Sequence, residues 1–221
     1  MIRAVVFDRD GVLMRPAQGA MGRLAAWLAR CTSGPLDAAR LQAVLEPIWE
    51  RYALEIRRLK VSAEEEPRFW LNLARDLLNK LKSRCSPAEV VAEWPYYRFI
   101  EPVVGARALL EWLQVQGYTV AVLSNTTPSL RQSLAYHGLA EFVDRFFASN
   151  SLGLLKPDGR IFRRVGEELG VPPEAIAYFD DYPDNVRVAR GLGWRAYLVR
   201  LGEPGPEVVH DLDLIYEILE P

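Results

Sequence analysis

A chain of 221 residues, half of them hydrophobic, can bury one domain-sized core, or a core domain carrying a smaller insertion. Its 27 basic and 29 acidic residues are interspersed, the formal net charge is −2, and no basic stripe marks a nucleic-acid partner. The apolar run 2–7 is too short for a signal peptide or a membrane span, so the expected location is cytoplasmic, with no membrane partner. Cys31 and Cys85 lie in no CxxC spacing, which indicates neither a zinc site nor a redox motif; a disulfide stays open on count alone.

Five β-rich runs are predicted, over 4–7, 119–123, 145–148, 175–179 and 195–199. Each is nearly continuous in apolar character, as in parallel strands covered on both faces. Between the first and second runs, 13–98 reads as almost all helix. Met21, Leu24, Ala25, Leu28 and Cys31 keep one face, and Leu41, Val44, Leu45, Ile48, Tyr52, Ile56 and Leu59 keep a second, with a kink or break expected at Pro47. The acidic run 64–66 reads as a solvated helix start, ahead of a third face through Phe69, Leu73, Leu77 and Leu81. Further helices are predicted over 103–116, 129–136, 159–169 and 184–192, with 212–219 closing the chain. Thr127-Pro128 reads as an N-cap followed by proline at the first helical position. The alternation implies an α/β fold, a doubly wound parallel sheet built from 1–14 and 99–221, with an all-helical insertion over 15–98.

Polar residues gather where the strands end. The first run stops at Asp8-Arg9-Asp10-Gly11, the second at Ser124-Asn125 and the fourth at Asp180-Asp181, while Lys156 precedes the helix after the third. Ligands of open α/β sheets bind at the carboxyl ends of the strands. Asp10-Gly11 alone reads as a turn, Ser124-Asn125 as a strand-end cap, Lys156-Pro157-Asp158 as a surface turn, and Asp180-Asp181 as a helix cap. Together, each after its own strand, they read as one site. On extended chain Asp8 and Asp10 project to the same side, so Asp180 and Asp181 would complete a set of four carboxylates. Two unit charges about 4 Å apart repel by ~4 kcal/mol at an effective dielectric near 20. Lys156 alone does not offset that, so either carboxylates protonate or a cation binds, and all-oxygen ligands favour a hard ion such as Mg²⁺. The Ser124 hydroxyl, an adjacent backbone N–H and the Lys156 ammonium suit phosphate oxygens.

At these residues the sequence resembles the haloacid dehalogenase superfamily, whose members are mostly phosphatases. Its motifs are matched in order by FDRDGV (7–12), VLSNT (122–126), GLLKPDGRIF (153–162) and YFDDYPDN (178–185). The resemblance implies strand order 5-4-1-2-3 and gives 15–98 the place of a helical cap. It implies Asp8 as nucleophile and Asp10 as general acid/base. It also implies a Mg²⁺ ion held by Asp8, the Asp10 carbonyl and Asp181, with support from Asp180 and Asn185, and a phosphoryl group cradled by Ser124, Asn125 and Lys156. The expected reaction is hydrolysis of a small phosphorylated metabolite through an aspartyl-phosphate. Arg9 departs from this capped branch, where an apolar residue is more common.

Rival readings are a phosphomutase sharing the phosphoaspartate step, a dehalogenase, a phosphonate-cleaving enzyme, and a non-catalytic phosphate-binding regulator. Asp10 argues against dehalogenation, which has no leaving alkoxide to protonate. Lys60, Lys80 and Lys82, the candidates for a Schiff-base lysine, read as solvated helix residues. None of Asp8, Asp10, Lys156 and Asp181 is missing, as a retired enzyme would lead one to expect. The absence of GxSxG, GxxxxGK[ST] and GxGxxG motifs argues against serine-hydrolase, triphosphate or dinucleotide chemistry by those routes. Oligomeric state is not legible from the sequence.

Overall fold

The computed structural model describes residues 1–205 and 208–220. In chain order the first elements are β1 (Ala4–Phe7), β2 (Met14–Pro16), α1 (Ala20–Ala29), α2 (Ala38–Arg57), α3 (Glu66–Leu81), α4 (Pro87–Glu93) and β3 (Ile100–Pro102). Then come α5 (Ala106–Val115), β4 (Thr119–Ser124), α6 (Leu130–Tyr136), β5 (Arg145–Ala148), α7 (Ser149–Leu152) and α8 (Gly159–Leu169). The chain closes with β6 (Ile176–Asp180), α9 (Pro183–Gly191), β7 (Arg195–Val199), β8 (Val208–Val209) and α10 (Asp213–Leu219). Two compact units result, one of residues 1–15 and 102–221, the other of residues 16–101.

The larger unit is an α/β unit around a six-stranded sheet in the order β5-β4-β1-β6-β7-β8, with every described pairing parallel. The five expected strands stand in the expected order, 5-4-1-2-3 by their own count, here β7-β6-β1-β4-β5; the complete order differs because eight strands, not five, occur among the described residues. β2 and β3 form a separate two-stranded sheet, and β8 adds an edge beyond β7. Three-residue and two-residue strands carry too little periodicity to be read from sequence. β1 lies inside the sheet and all four of its residues are buried, which explains its unbroken apolar character. Ala4, Val6, Ala121, Leu123, Tyr178, Phe162 and Trp194 belong to one core cluster. Each of the larger aliphatic and phenylalanine side chains removed from water contributes roughly 1.5–3 kcal/mol.

α8 shows why some boundaries are legible. Asp158 accepts from the Arg160 amide at 2.9 Å as N-cap, and Gly170 ends the helix at φ 65°. Thr127-Pro128 misleads by the same logic. α6 starts only at Leu130, after Ser129, and the Thr127 hydroxyl is buried with no hydrogen-bond partner among the described residues.

The smaller unit is helical. Leu24, Leu28, Leu41, Ile48, Tyr52, Phe69, Leu77 and Leu81 share its core, so the three periodic faces pack on one another. Of the kink or break expected at Pro47, the break does not occur: α2 runs through it. Pro47 lies on the exposed side with Ala43, whose carbonyl it deprives of a partner, and water can serve that oxygen. Glu66 is not the solvated residue expected of an acidic helix start: it is buried, and its carboxylate accepts from the Trp70 indole at 3.1 Å. α4 was not foreseen; Ser86 and Glu89 cap it reciprocally and Pro87 opens it. Cys31 and Cys85 form a disulfide between the end of α1 and the start of α4. No helix among the described residues is long and apolar enough to cross a membrane.

Candidate active site

Register explains why four segments converge. Phe7 of β1 pairs with Val122 on one side and Phe179 on the other. The ladder continues one step further, where the Asp8 amide donates to the Phe179 carbonyl at 2.8 Å. Asp8 therefore stands level with Leu123 and Asp180, all at the carboxyl ends of their strands. Parallel neighbours in register share a face, so the chain delivers these groups together.

Lys156 ties the strand ends to one another. Its Nζ donates to Asp8 Oδ2 at 2.9 Å, Asp180 Oδ2 at 2.7 Å and the Leu123 carbonyl at 2.9 Å. An ammonium has three protons, and the three contacts lie on or just after three different strands. The lysine is aimed by Asn125, whose Nδ2 donates to the Lys156 carbonyl and whose Oδ1 accepts from the Lys156 amide, both at 2.9 Å. The Lys156-Pro157 peptide is cis. Asn125 thus spends its side chain on holding the lysine loop. Ser124 is buried at the end of β4.

Asp180 is the most heavily bonded of the carboxylates. Oδ1 accepts from the Tyr182 amide at 2.7 Å and Asn185 Nδ2 at 2.9 Å, and Oδ2 accepts from Lys156 and the Tyr178 hydroxyl. Burial and the adjacent carboxylates hold the Tyr178 phenol well above its ordinary range, so it remains a donor. Sequence reasoning missed Tyr178, which reads there as one more apolar strand residue.

Asp8, Asp180 and Asp181 can each bring one carboxylate oxygen within 4.8 Å of the others. Three carboxylates around one ammonium leave uncompensated negative charge. Burial pushes the Asp8 carboxyl up to about 7; Lys156 opposes the rise, while Asp180 and Asp10 add to it. Asp181 is raised as well, first by burial and then by Asp180. Burial pulls the Lys156 ammonium down, but Asp8 and Asp180 outweigh it and hold it above its usual value. Gly11 lets the loop approach Asp181 closely: a Cβ there would sit 2.2 Å from Asp181 Oδ2, and its φ is +79°. The Asn185 Oδ1 is buried without a partner among the described residues, while the same amide's nitrogen bonds Asp180. Oxygen donors alone, excess negative charge and an uncommitted buried oxygen fit a hard divalent cation.

Asp10 is not a member of that carboxylate trio. Its side chain is 53% exposed and is gripped by the buried Arg9, with Nε to Oδ1 at 3.0 Å and Nη2 to Oδ2 at 2.7 Å. Arg9 Nη1 donates to Ser133 Oγ at 3.2 Å. Arg200 Nη1 donates to the Asp181 carbonyl, another contact with no signal in the sequence.

The family model for haloacid dehalogenase-like hydrolases matches residues 2–193. A phosphatase of Mycobacterium tuberculosis is 34% identical over 224 residues, 99% of this chain and 97% of the relative. A solved enzyme of the same superfamily from Bacteroides thetaiotaomicron, in complex with magnesium and inorganic phosphate, superposes with a TM-score of 0.64 at 19% identity, covering 93% of this chain and 98% of that one. The L-2-haloacid dehalogenase PA0810 gives 0.73 at 17% identity, with 99% of both chains covered, so the fold is common to phosphatases and dehalogenases. With the family model matched over residues 2–193 and a named phosphatase matched across nearly its whole length, the chain belongs to the haloacid dehalogenase superfamily of hydrolases, among its phosphatases.

Proposed function

We propose that the enzyme hydrolyses a small phosphate monoester through an aspartyl-phosphate on Asp8, with Mg²⁺ as cofactor. The observation that carries this reading is the Lys156 ammonium, 2.9 Å from Asp8 and 2.7 Å from Asp180. It places a fixed positive charge beside a carboxylate nucleophile, which a phosphate dianion would otherwise avoid.

In this reading Asp8 attacks phosphorus and displaces the alcohol. Asp10 protonates the departing oxygen, then takes a proton from the water that cleaves the acyl-phosphate, regenerating Asp8 and releasing inorganic phosphate. The Ser124 hydroxyl and the Asn125 main chain hold phosphoryl oxygens, and Lys156, whose three protons lie on Asp8, Asp180 and the Leu123 carbonyl, stabilises them by its charge; the Asn125 side chain is committed to the lysine loop. Asp8, the Asp10 carbonyl and Asp181 would hold Mg²⁺, with Asn185 and the fully bonded Asp180 in support. When bound, the ion neutralises phosphoryl charge. The helical insertion 15–98 is assigned the role of choosing the substrate, and the setting is cytoplasmic.

The test is phosphate release from a panel of sugar phosphates, nucleotides and phosphoglycolate with and without MgCl₂. Parallel halide-release and bisphosphate-activated isomerisation assays separate a dehalogenase and a mutase. Magnesium-dependent phosphate release, abolished in Asp8→Asn, is expected. Full activity in Asp8→Asn removes the nucleophile assignment.

A further inference from the structure

Arg9 follows the proposed nucleophile directly, yet its guanidinium turns away from solvent and is buried. Three of its donors form a chain: Nε and Nη2 take the two oxygens of Asp10, and Nη1 takes Ser133 Oγ. Ser133 is itself buried at 0% exposure and donates its hydroxyl proton to the Leu130 carbonyl at 2.7 Å. A hydroxyl whose proton is committed presents only lone pairs elsewhere, so it serves Arg9 as an acceptor of fixed direction. The path from α6 to Asp10 is continuous: Leu130 carbonyl, Ser133 hydroxyl, Arg9 guanidinium, Asp10 carboxylate.

We propose that Arg9, braced by Ser133, is the positioning residue that fixes the Asp10 carboxylate for proton transfer to the leaving alcohol. The guanidinium occupies the buried side of the carboxylate with a planar two-bond fork. Each carboxylate oxygen has two acceptor sites, so the fork on its buried side leaves lone pairs on the exposed side of Asp10. A lone side chain on a loop would sample several rotamers. One clamped through both oxygens has one, and a misplacement of about 1 Å can cost on the order of 100-fold in rate.

The proposal rests on the phosphatase reading, and its test separates the two. Compare kcat/KM of Arg9→Ala and wild type on p-nitrophenyl phosphate, whose leaving group departs without a proton, and on an alkyl phosphate, whose leaving group needs one. Because kcat/KM reports steps up to phosphoryl transfer to Asp8, later water attack does not enter the ratio. The expected result is a loss of about 10- to 100-fold on the alkyl ester and little loss on the aryl ester. Ser133→Ala gives a smaller loss of the same kind, and added methylguanidine partly restores Arg9→Ala on the alkyl ester. Equal losses on both esters, with no guanidine rescue, overturn the positioning role, since a merely structural arginine would lower both alike. Arg9→Lys keeps the charge but not the fork and controls for folding; full alkyl-ester activity in it also overturns the proposal. Failure of the phosphatase reading looks different: wild type itself then releases phosphate from neither ester.

Discussion

Lys156 Nζ lies 2.7 Å from Asp180 Oδ2, with 1% of one side chain and 0% of the other exposed. A buried pair of this kind is expensive to break from one side, because the partner is left charged or must take up a proton. The same ammonium also holds Asp8. Lys156→Ala is therefore expected to lose about 3–5 kcal/mol of stability, read from urea unfolding, together with phosphate release. A variant as stable as wild type contradicts the view that this lysine bridges the strand ends.

The raised Asp8 carboxyl fixes the sign of a pH effect. Its folded value, about 7, exceeds the ordinary 3.8, so the folded state holds the proton more tightly. Its contribution to stability is present below 3.8 and is lost as pH rises toward 7. A divalent ion binds the ionised form, so Mg²⁺ must displace that proton at low pH and need not at high pH. The rise in Tm on adding MgCl₂ is expected to grow as pH passes through about 7. Asp8→Asn should flatten the trend. An increment independent of pH in wild type rules the linkage out.

Gly11→Ala places a Cβ 2.2 Å from Asp181 Oδ2 at a backbone φ of +79°. The left-handed conformation costs a non-glycine residue about 1–2 kcal/mol. Gly11→Asn separates strain from collision, since asparagine tolerates that φ better but carries the same Cβ. Both variants are expected to need several-fold more Mg²⁺ for half-maximal activity. If asparagine restores the wild-type requirement, strain and not the approach of Asp181 is what the glycine relieves.

The Cys31–Cys85 disulfide closes 54 residues of the helical unit. Loop-closure entropy predicts a stabilisation of about 4 kcal/mol for such a span. The Arg84 amide donating to the Cys31 carbonyl at 2.8 Å keeps the same two segments adjacent, so part of the geometry survives reduction. Non-reducing unfolding of wild type against Cys31→Ser/Cys85→Ser should show a lower midpoint in the double variant. Identical midpoints would mean that the bond restrains nothing.

Chemistry-bearing positions were legible because each sits at the end of an apolar run. Asp8, Ser124 and Asp180 follow or close buried strands, and β1 and α8 carry periodicity and caps strong enough to fix their limits. Where the signal was local but ambiguous, reading failed. Thr127-Pro128 has the residues of a helix start and is not one, and Pro47 has the residue of a break and sits in continuous helix. β8 and α7 are too short to show a period.

From the sequence alone came the residue types, their order after successive strands, and hence the carboxylate, lysine and serine chemistry on one sheet edge. Only tertiary structure decided how those groups divide their labour. Asn125 aims Lys156, Tyr178 and Asn185 hold Asp180, and Ser133 braces Arg9 from 124 positions away. Such pairings depend on strand register and on which side chains are shut away from water. A hydrogen bond between distant segments leaves no periodicity in the chain, because its partners need agree only in space.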